Sequence, residues 1–423
     1  MTYFAKTYLL NGHLPKSSRL VIDAIGLAAI FSLIAQMCGY GFESMQFAIF
    51  NKVFFTTLLA KLFLTVLAVV VIIHRTKINI VWPLFIRLVG LFLYILFLVI
   101  QHSLSSNSFY HLVVGFNEYY SLFFIFPLVY QLRGYVSTKS LTFVLVGIGV
   151  PAICLGMFQY FTHIIFPLPQ PGNSVDFFSR IRAYSFFGQP LQYSIFLLFI
   201  FSLCSVMLIR CSNAIRIFII IAISIIIFAA YTTLARSLFV ALTGAAVTSI
   251  VIKLKFPFKR AIIYNLPLMY FIFIILLLYY SNDISRIFSG SLTSSLSVSI
   301  RYDEWIYYLR MLLKSPSVFF LGNGIVQGNE TAGSLNSTLP IDNSFLGVTL
   351  NIGVIGLFLY LFMLSSMWNF IVQEYEKNDS IMVESALVFF STWPIYAVTS
   401  NILYLYPLCV LIYFIGARNK IGN

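Results

Sequence analysis

The sequence predicts an all-α integral membrane protein of about twelve transmembrane helices, and three observations carry that reading. First, 60% of the 423 residues are hydrophobic and only 9% are charged, whereas a soluble domain carries roughly 25% charged residues. So little polar surface could not cover the chain in water. Second, the apolar residues fall in unbroken runs close to the roughly 20 residues that a helix needs to cross hydrocarbon. Third, 44 Phe and 26 Tyr suit a lipid-facing surface with aromatic belts at both interfaces. Unpaired backbone groups are so costly in lipid that only helices and closed barrels span it, and the run 219–230 has no strand-like alternation of the kind a barrel needs.

In chain order the expected spans are 20–39, 53–73, 82–100, 111–131, 140–161, 190–209, 214–232, 237–252, 261–280, 344–367, 382–399 and 402–416, in a single polytopic domain covering 1–423. The first run follows a basic segment, lacks a small-residue cleavage site and leads into further spans, so it reads as a retained signal anchor. The fourth contains Glu118 and Pro127, and its loss would invert everything downstream. With twelve spans, one side collects Lys6, Lys16, Arg19, Arg75, Lys77, Arg133, Lys139, Arg210, Arg216, Lys253, Lys255, Lys259, Arg260, Arg418 and Lys420. Short cytoplasmic loops are the ones rich in Lys and Arg, so that side and both termini are expected to be cytoplasmic. The +13 net charge is spread over these loops and no soluble domain presents it as a groove. That argues against nucleic acid and for anionic lipid headgroups as the partner of the basic loops.

The five cysteines, Cys38, Cys154, Cys204, Cys211 and Cys409, lie in or beside spans without CxxC spacing, which reads as packing rather than redox or metal chemistry. The five histidines are scattered and form no HExxH cluster, so no protein-bound metal is expected. LGNGIVQG is a glycine-rich turn without the spacing or the following GK[ST] of a nucleotide loop, and no nucleotide cofactor is expected either.

Two outward segments, 162–189 and 281–342, are longer than connection requires, and such loops are usually functional or disordered. Within the second, Trp305, Tyr308, Leu309 and Leu312 recur at helical spacing and predict a helix over 302–314. Asp303, Arg310 and Lys314 occupy its other face, a pattern that suits the membrane interface. Pro316 marks its end.

The outer side keeps arginines against the charge trend, among them Arg180 and Arg182 in RIRAYSFFGQP, Arg236 in TTLARSLFVALTG, and Arg301 and Arg310 in SIRYDEWIYYLRMLL. A phosphate gripped by the planar guanidinium fork is one reason for them. Snorkelling to headgroups, or local pairing such as Arg301 with Asp303 or Glu304, is the other. At the mouth of the span in IDNSFLGVTLNIGVIGLFLYL stand Asp342 and Asn343, and an Asp at that point is also an ordinary helix cap. Asp23, Lys61, Arg87 and Glu118 fall within spans. Asp23 and Arg87 are near span ends and can snorkel, while Lys61 and Glu118 are deeper and read first as a structural pair, with a proton pathway as the alternative.

These motifs together resemble the bacterial O-antigen polymerase and O-antigen ligase superfamily. Four features recur in order over about 180–361: RIRAYSFFGQPLQYSIF before a span, LARSLFVAL at a span start, RYDEWIYYLRMLLKSPSVFFLGNG, and DNSFLGVTLNIGVIGLF. The resemblance implies a glycosyltransferase of the bacterial inner membrane that uses undecaprenyl-diphosphate-linked oligosaccharide as donor and acceptor on the periplasmic face, without metal or nucleotide. It further implies that Arg236 and Arg301 hold the donor diphosphate, with Arg180, Arg182, Arg310 and Asn343 contributing to substrate binding. A chain-length regulator is an implied partner. Ligases of the superfamily typically carry His before the Asn as the base that activates the acceptor. Here that position is Asp342, which looks more like a polymerase joining repeat units for O-antigen, capsule or exopolysaccharide. A carboxylate needs a raised pKa to serve as a base near neutral pH, so the base assignment stays open. The alternatives are a ligase that transfers glycan to a lipid or protein acceptor, and a lipid-linked oligosaccharide flippase or other transporter built around Lys61 and Glu118.

Overall fold

The computed structural model describes residues 16–37, 55–74, 82–103, 121–133, 136–164, 181–255, 257–279, 305–313, 315–322, 343–399 and 405–417. Fifteen helices are described, and no β-strand is assigned among these residues. They are α1 (Lys16–Met37), α2 (Phe55–His74), α3 (Trp82–Ser103) and α4 (Ser121–Val129), the last continued by a 3-10 turn at Tyr130–Leu132. Then come α5 (Thr138–Thr162), α6 (Pro190–Arg210), α7 (Asn213–Thr232), α8 (Arg236–Lys253) and α9 (Lys259–Tyr279). A helix over 305–313 is α10. It is followed by α11 (Pro316–Leu321), α12 (Ser344–Lys377), α13 (Ile381–Ser391), α14 (Trp393–Thr399) and α15 (Leu405–Ile415).

Among the described residues, eight segments are long and apolar enough to cross a bilayer, carried by α3, α5, α6, α7, α8, α9, α12 and the α13–α14 pair, so the chain is a multi-pass helical membrane protein. Four further apolar stretches, Ala24–Ile34, Lys61–Ile72, Phe123–Leu132 and Leu405–Ile415, are shorter. Three fall inside the expected spans 20–39, 53–73 and 402–416, and Phe123–Leu132 runs one residue past the expected span 111–131.

Burial separates the central helices from the lipid-facing ones. The apolar window of α6 is 78% buried and that of α13–α14 83%, whereas those of α3, α5, α7 and α9 are only 22–28% buried. Accordingly α6 packs on α7, α8, α13 and α15, and α13 also on α8, α12 and α15. Apolar packing alone does not favour helix over lipid, so small residues and interhelical hydrogen bonds specify the contacts. Ser205 shares a hydrogen bond with Ser249 at 2.8 Å. Thr248 shares one with Ser391 at 3.0 Å and one with Tyr270 at 2.7 Å, and Tyr270 Oη donates to the Gly244 carbonyl at 2.6 Å. These contacts tie α6 to α8, and α8 to α9 and α13.

One end of the bundle is laced by ion pairs. Arg210 grips Glu384 through Nε and Nη2 at 2.7 and 2.6 Å and also bonds Asp379. Arg133 pairs with Glu374, and Arg260 with Glu376 at 2.7 Å. Tyr375 Oη lies 3.5 Å from the Ile252 carbonyl. The ends of α6, α8 and α12 and the starts of α9 and α13 are therefore together. Several cations grouped on one side by sequence, Arg133, Arg210 and Arg260 among them, meet here.

Three elements depart from the sequence expectation. The span 382–399 is interrupted at Thr392, and α14 restarts with Pro394, which has no N–H, in its first turn. The span 344–367 runs on to Lys377 and breaks at Gly353, whose backbone is at φ 70° and ψ −179°. The 24 residues after Gly353 cover about 36 Å at ~1.5 Å per residue, enough to cross the bilayer alone. Residues 344–352 thus form a separate half-helix. Arg87 does not snorkel freely: its Nη1 donates to the Phe362 carbonyl at 3.1 Å and to Ser366 Oγ at 2.5 Å, on α12.

Candidate functional site at the end opposite the ion pairs

Helix direction places the candidate residues. Because α8 and α12 end together beside the ion pairs, both begin at the opposite end, so Arg236 and Asn343 share that end. The end of α5 and the start of α6 frame it with the segment 181–189.

That segment is buried without being helical, which lipid or protein tolerates only where every backbone group is satisfied. Gln159, fully buried on α5, does this. Its Oε1 accepts from Ser185 N at 2.7 Å and Tyr184 N at 3.1 Å, while its Nε2 donates to the Ser185 carbonyl at 3.0 Å. Ser185 Oγ donates to the Ala152 carbonyl at 2.7 Å. The clamp supports Ser185 at φ 52°, a left-handed conformation unusual for a residue with a Cβ. Burial pushes the Tyr184 phenol up to about 12.

The segment is also sewn to the turn between α7 and α8. Ala183 N donates to the Thr232 carbonyl at 2.9 Å, and Arg182 Nε donates to the Thr233 carbonyl at 3.3 Å. Thr233 Oγ1 accepts from Ala235 N at 3.2 Å, closing a tight turn in which Leu234 sits at φ 53°. Arg236 follows at once, as the first residue of α8, and is exposed. The structure therefore joins Arg182 and Arg236, 54 residues apart in sequence, at one turn. Among the described residues Arg236 makes no ion pair or hydrogen bond. The N-terminus of a helix already carries partial positive charge, which disfavours a cation there by about 0.3 to 1 kcal/mol. An anion would relieve both the guanidinium and the helix end.

The second part of the site is the half-helix 344–352. Asn343, not Asp342, is its cap: Asn343 Oδ1 accepts from Phe345 N at 3.0 Å and Leu346 N at 3.1 Å. The expected substrate-binding role of Asn343 is thus limited to its amide nitrogen, because its oxygen is committed to the helix. Leu346 and Leu350 pack against Tyr308 and Leu312 of α10, with Trp305 alongside. The half-helix is recessed, since Phe345 meets Phe271 of α9 at 5.5 Å and Trp393 at 6.0 Å between ring centroids. Phe271 lies eight residues before the end of α9 at Tyr279, which is about 12 Å along the axis.

The aromatic and apolar stripe expected on 302–314 is formed in part. Tyr308 and Leu312 are buried and Trp305 half-buried, but Leu309 is 50% exposed. Arg310 is exposed on its other side. Pro316, expected as a stop, also starts α11 at the first helical position, where its missing N–H costs nothing. Arg180, Arg301, Asp342 and Glu118, and the parts of the two long loops at 165–180, 280–304 and 323–342, lie outside the described residues, as does the side chain of Asp23. Lys61 is buried within α2. No cluster of three or more His, Cys, Asp or Glu side chains suited to a metal occurs among the described residues.

Sequence reasoning passed over Gln159 and Tyr94. The available signal was a polar group inside an apolar span, where an unmet hydrogen bond costs several kcal/mol, so each had to have a partner. Neither protein-family models nor curated proteins yielded a match to this chain.

Proposed function

We propose that the protein is a membrane polysaccharide polymerase. It joins undecaprenyl-diphosphate-linked repeat units at the membrane face that carries Arg236, the periplasmic face if the cation-rich end is cytoplasmic. One observation carries the proposal: an exposed arginine at the positive end of α8, on the turn that Arg182 also bonds, at the same end of the bundle as the half-helix following Asp342. A diphosphate answers the charge of both guanidinia and the helix end. In the reaction, the reducing-end sugar of the growing chain moves to a hydroxyl of a second lipid-linked unit, and lipid diphosphate leaves. Arg236, with Arg301, offsets charge gathering on that leaving group, Arg180, Arg182 and Arg310 hold its surroundings, and Asp342 orients or deprotonates the attacking hydroxyl.

The test is purified protein in vesicles with a lipid-linked repeat unit. Polymer that disappears with Arg236→Ala supports the proposal, and transfer only to a distinct lipid or protein acceptor replaces it with the ligase reading. A second reading draws on the break at Gly353, because transporters place discontinuous helices at their binding sites. Movement of the intact lipid-linked unit across the vesicle membrane, with no new glycosidic bond, would establish that reading instead.

A further inference from the structure

Helix α12 is broken at Gly353, and a break leaves the last carbonyls of the preceding half-helix without helical donors. At the same place the short helix α11 ends at Leu321, with the same deficit. The two ends cross backbone to backbone at paired glycines. At Gly322, at φ 80°, a Cβ would come within 2.5 Å of the Asn351 carbonyl oxygen, and at Gly353, at φ 70°, within 2.1 Å of the Phe320 carbonyl oxygen. No side chain fits at either glycine, so the crossing is as close as two chains can come.

One side chain from a third helix serves both ends. Tyr94, midway along α3, places its hydroxyl 3.0 Å from the Ile352 carbonyl and 3.3 Å from the Phe320 carbonyl, sharing one O–H between them. Arg87 lies two turns away on the same face of α3 and holds α12 beyond the break, at Phe362 and Ser366. The geometry points to Tyr94 as a latch: it fixes the α11–α12 crossing and thereby the direction of the half-helix 344–352 that carries Asn343 and follows Asp342. In the proposed reaction Tyr94 is a positioning residue, and that part of the inference rests on the polymerase reading. The latch itself does not.

Two variants separate donor from ring. Tyr94→Phe keeps the ring and removes the O–H, and p-aminophenylalanine at position 94 returns an N–H donor at the same point. Backbone hydrogen exchange of the protein in lipid nanodiscs reads the latch. Faster exchange in 316–322 and 344–353 of Tyr94→Phe, unchanged exchange in 138–162, and recovery with p-aminophenylalanine are expected. Unchanged exchange at 344–353 overturns the latch. Turnover of the lipid-linked substrate reads positioning: kcat falls about 10- to 100-fold, as for groups displaced by roughly 1 Å, while KM stays within about twofold and p-aminophenylalanine restores the rate. Faster exchange with full kcat overturns positioning and keeps the latch. If wild-type protein forms no polymer, the polymerase reading fails, and the exchange measurement still decides the latch.

Discussion

The two ends of this helical bundle use arginine in opposite ways. At the end where α12 turns into α13, Arg133, Arg210 and Arg260 each meet a carboxylate, and Arg210 meets two. At the other end Arg182 bonds a backbone carbonyl and Arg236 stands exposed on the positive end of α8, with no carboxylate partner among the described residues. The same guanidinium closes an ion pair in the first setting and meets backbone or stands exposed in the second. The difference teaches that intramembrane or interfacial arginines cannot be sorted by depth alone: what sorts them is whether the fold supplies the counter-charge.

That contrast can be broken most sharply at Arg236. Its replacement by Ala should lower glycan transfer about 100- to 1,000-fold, the usual effect of removing one group that stabilises charge in the transition state, with the melting temperature in detergent unchanged. A large loss of stability instead would make Arg236 another structural arginine. Arg210→Ala should do the reverse. It strands Glu384, whose side chain is 11% exposed, and should cost about 2 to 4 kcal/mol of stability, discounted from a fully buried pair because Arg210 itself is 20% exposed. Thermal unfolding of the detergent-solubilised protein checks this, and preserved stability would remove the structural role. Gln159→Leu probes the Arg236 end by leaving the Tyr184 and Ser185 N–H groups without their Gln159 acceptor. About 1 to 3 kcal/mol is expected, with loss of hydrogen-exchange protection confined to 181–189.

Two smaller effects complete the series. The Tyr184 phenol titrates at about 12 in the fold against its usual 10.0, so its neutral form is favoured by the native state. That stability is fully present below pH 10 and is lost as pH rises through 12. Wild-type stability should therefore fall more steeply than that of Tyr184→Phe over this interval in paired alkaline unfolding titrations, and parallel curves would show that the segment does not depend on the buried phenol. Arg260→Ala should change least, with no resolvable shift of the unfolding midpoint, since its side chain is 74% exposed and solvent screens such pairs. A loss comparable to that of Arg210→Ala would mean that exposure does not rank the ion pairs.

Much of the membrane architecture was legible because lipid imposes a simple rule: a backbone that must satisfy itself becomes a helix, and its length follows from the bilayer. The runs behind α3, α5, α6, α7, α8 and α9 are read directly from hydropathy. The break in α12 was hinted at by Gly353 and Gly356 in NIGVIG, yet glycine is frequent in spans that do not break, and the deciding contact, Phe320 against Gly353, comes from 33 residues earlier. The cap was misread between Asp342 and Asn343 because both side chains cap helices, and only the backbone shows which residue adopts the extended conformation, φ −149° and ψ 114° at Asn343.

By itself the sequence determined that the chain is a helical membrane protein and which arginines lie outside the cation-rich loops. These follow from composition and run length. Only the tertiary structure decided that Arg182 and Arg236 flank one turn, that Gln159 holds the segment leading there, and that Tyr94 joins the ends of two broken helices. The physical reason is that hydrogen bonds in a bilayer must be closed by whichever group the packing delivers. The delivering residues here are 51, 26 and 258 positions away from their partners, far beyond the range over which local periodicity speaks.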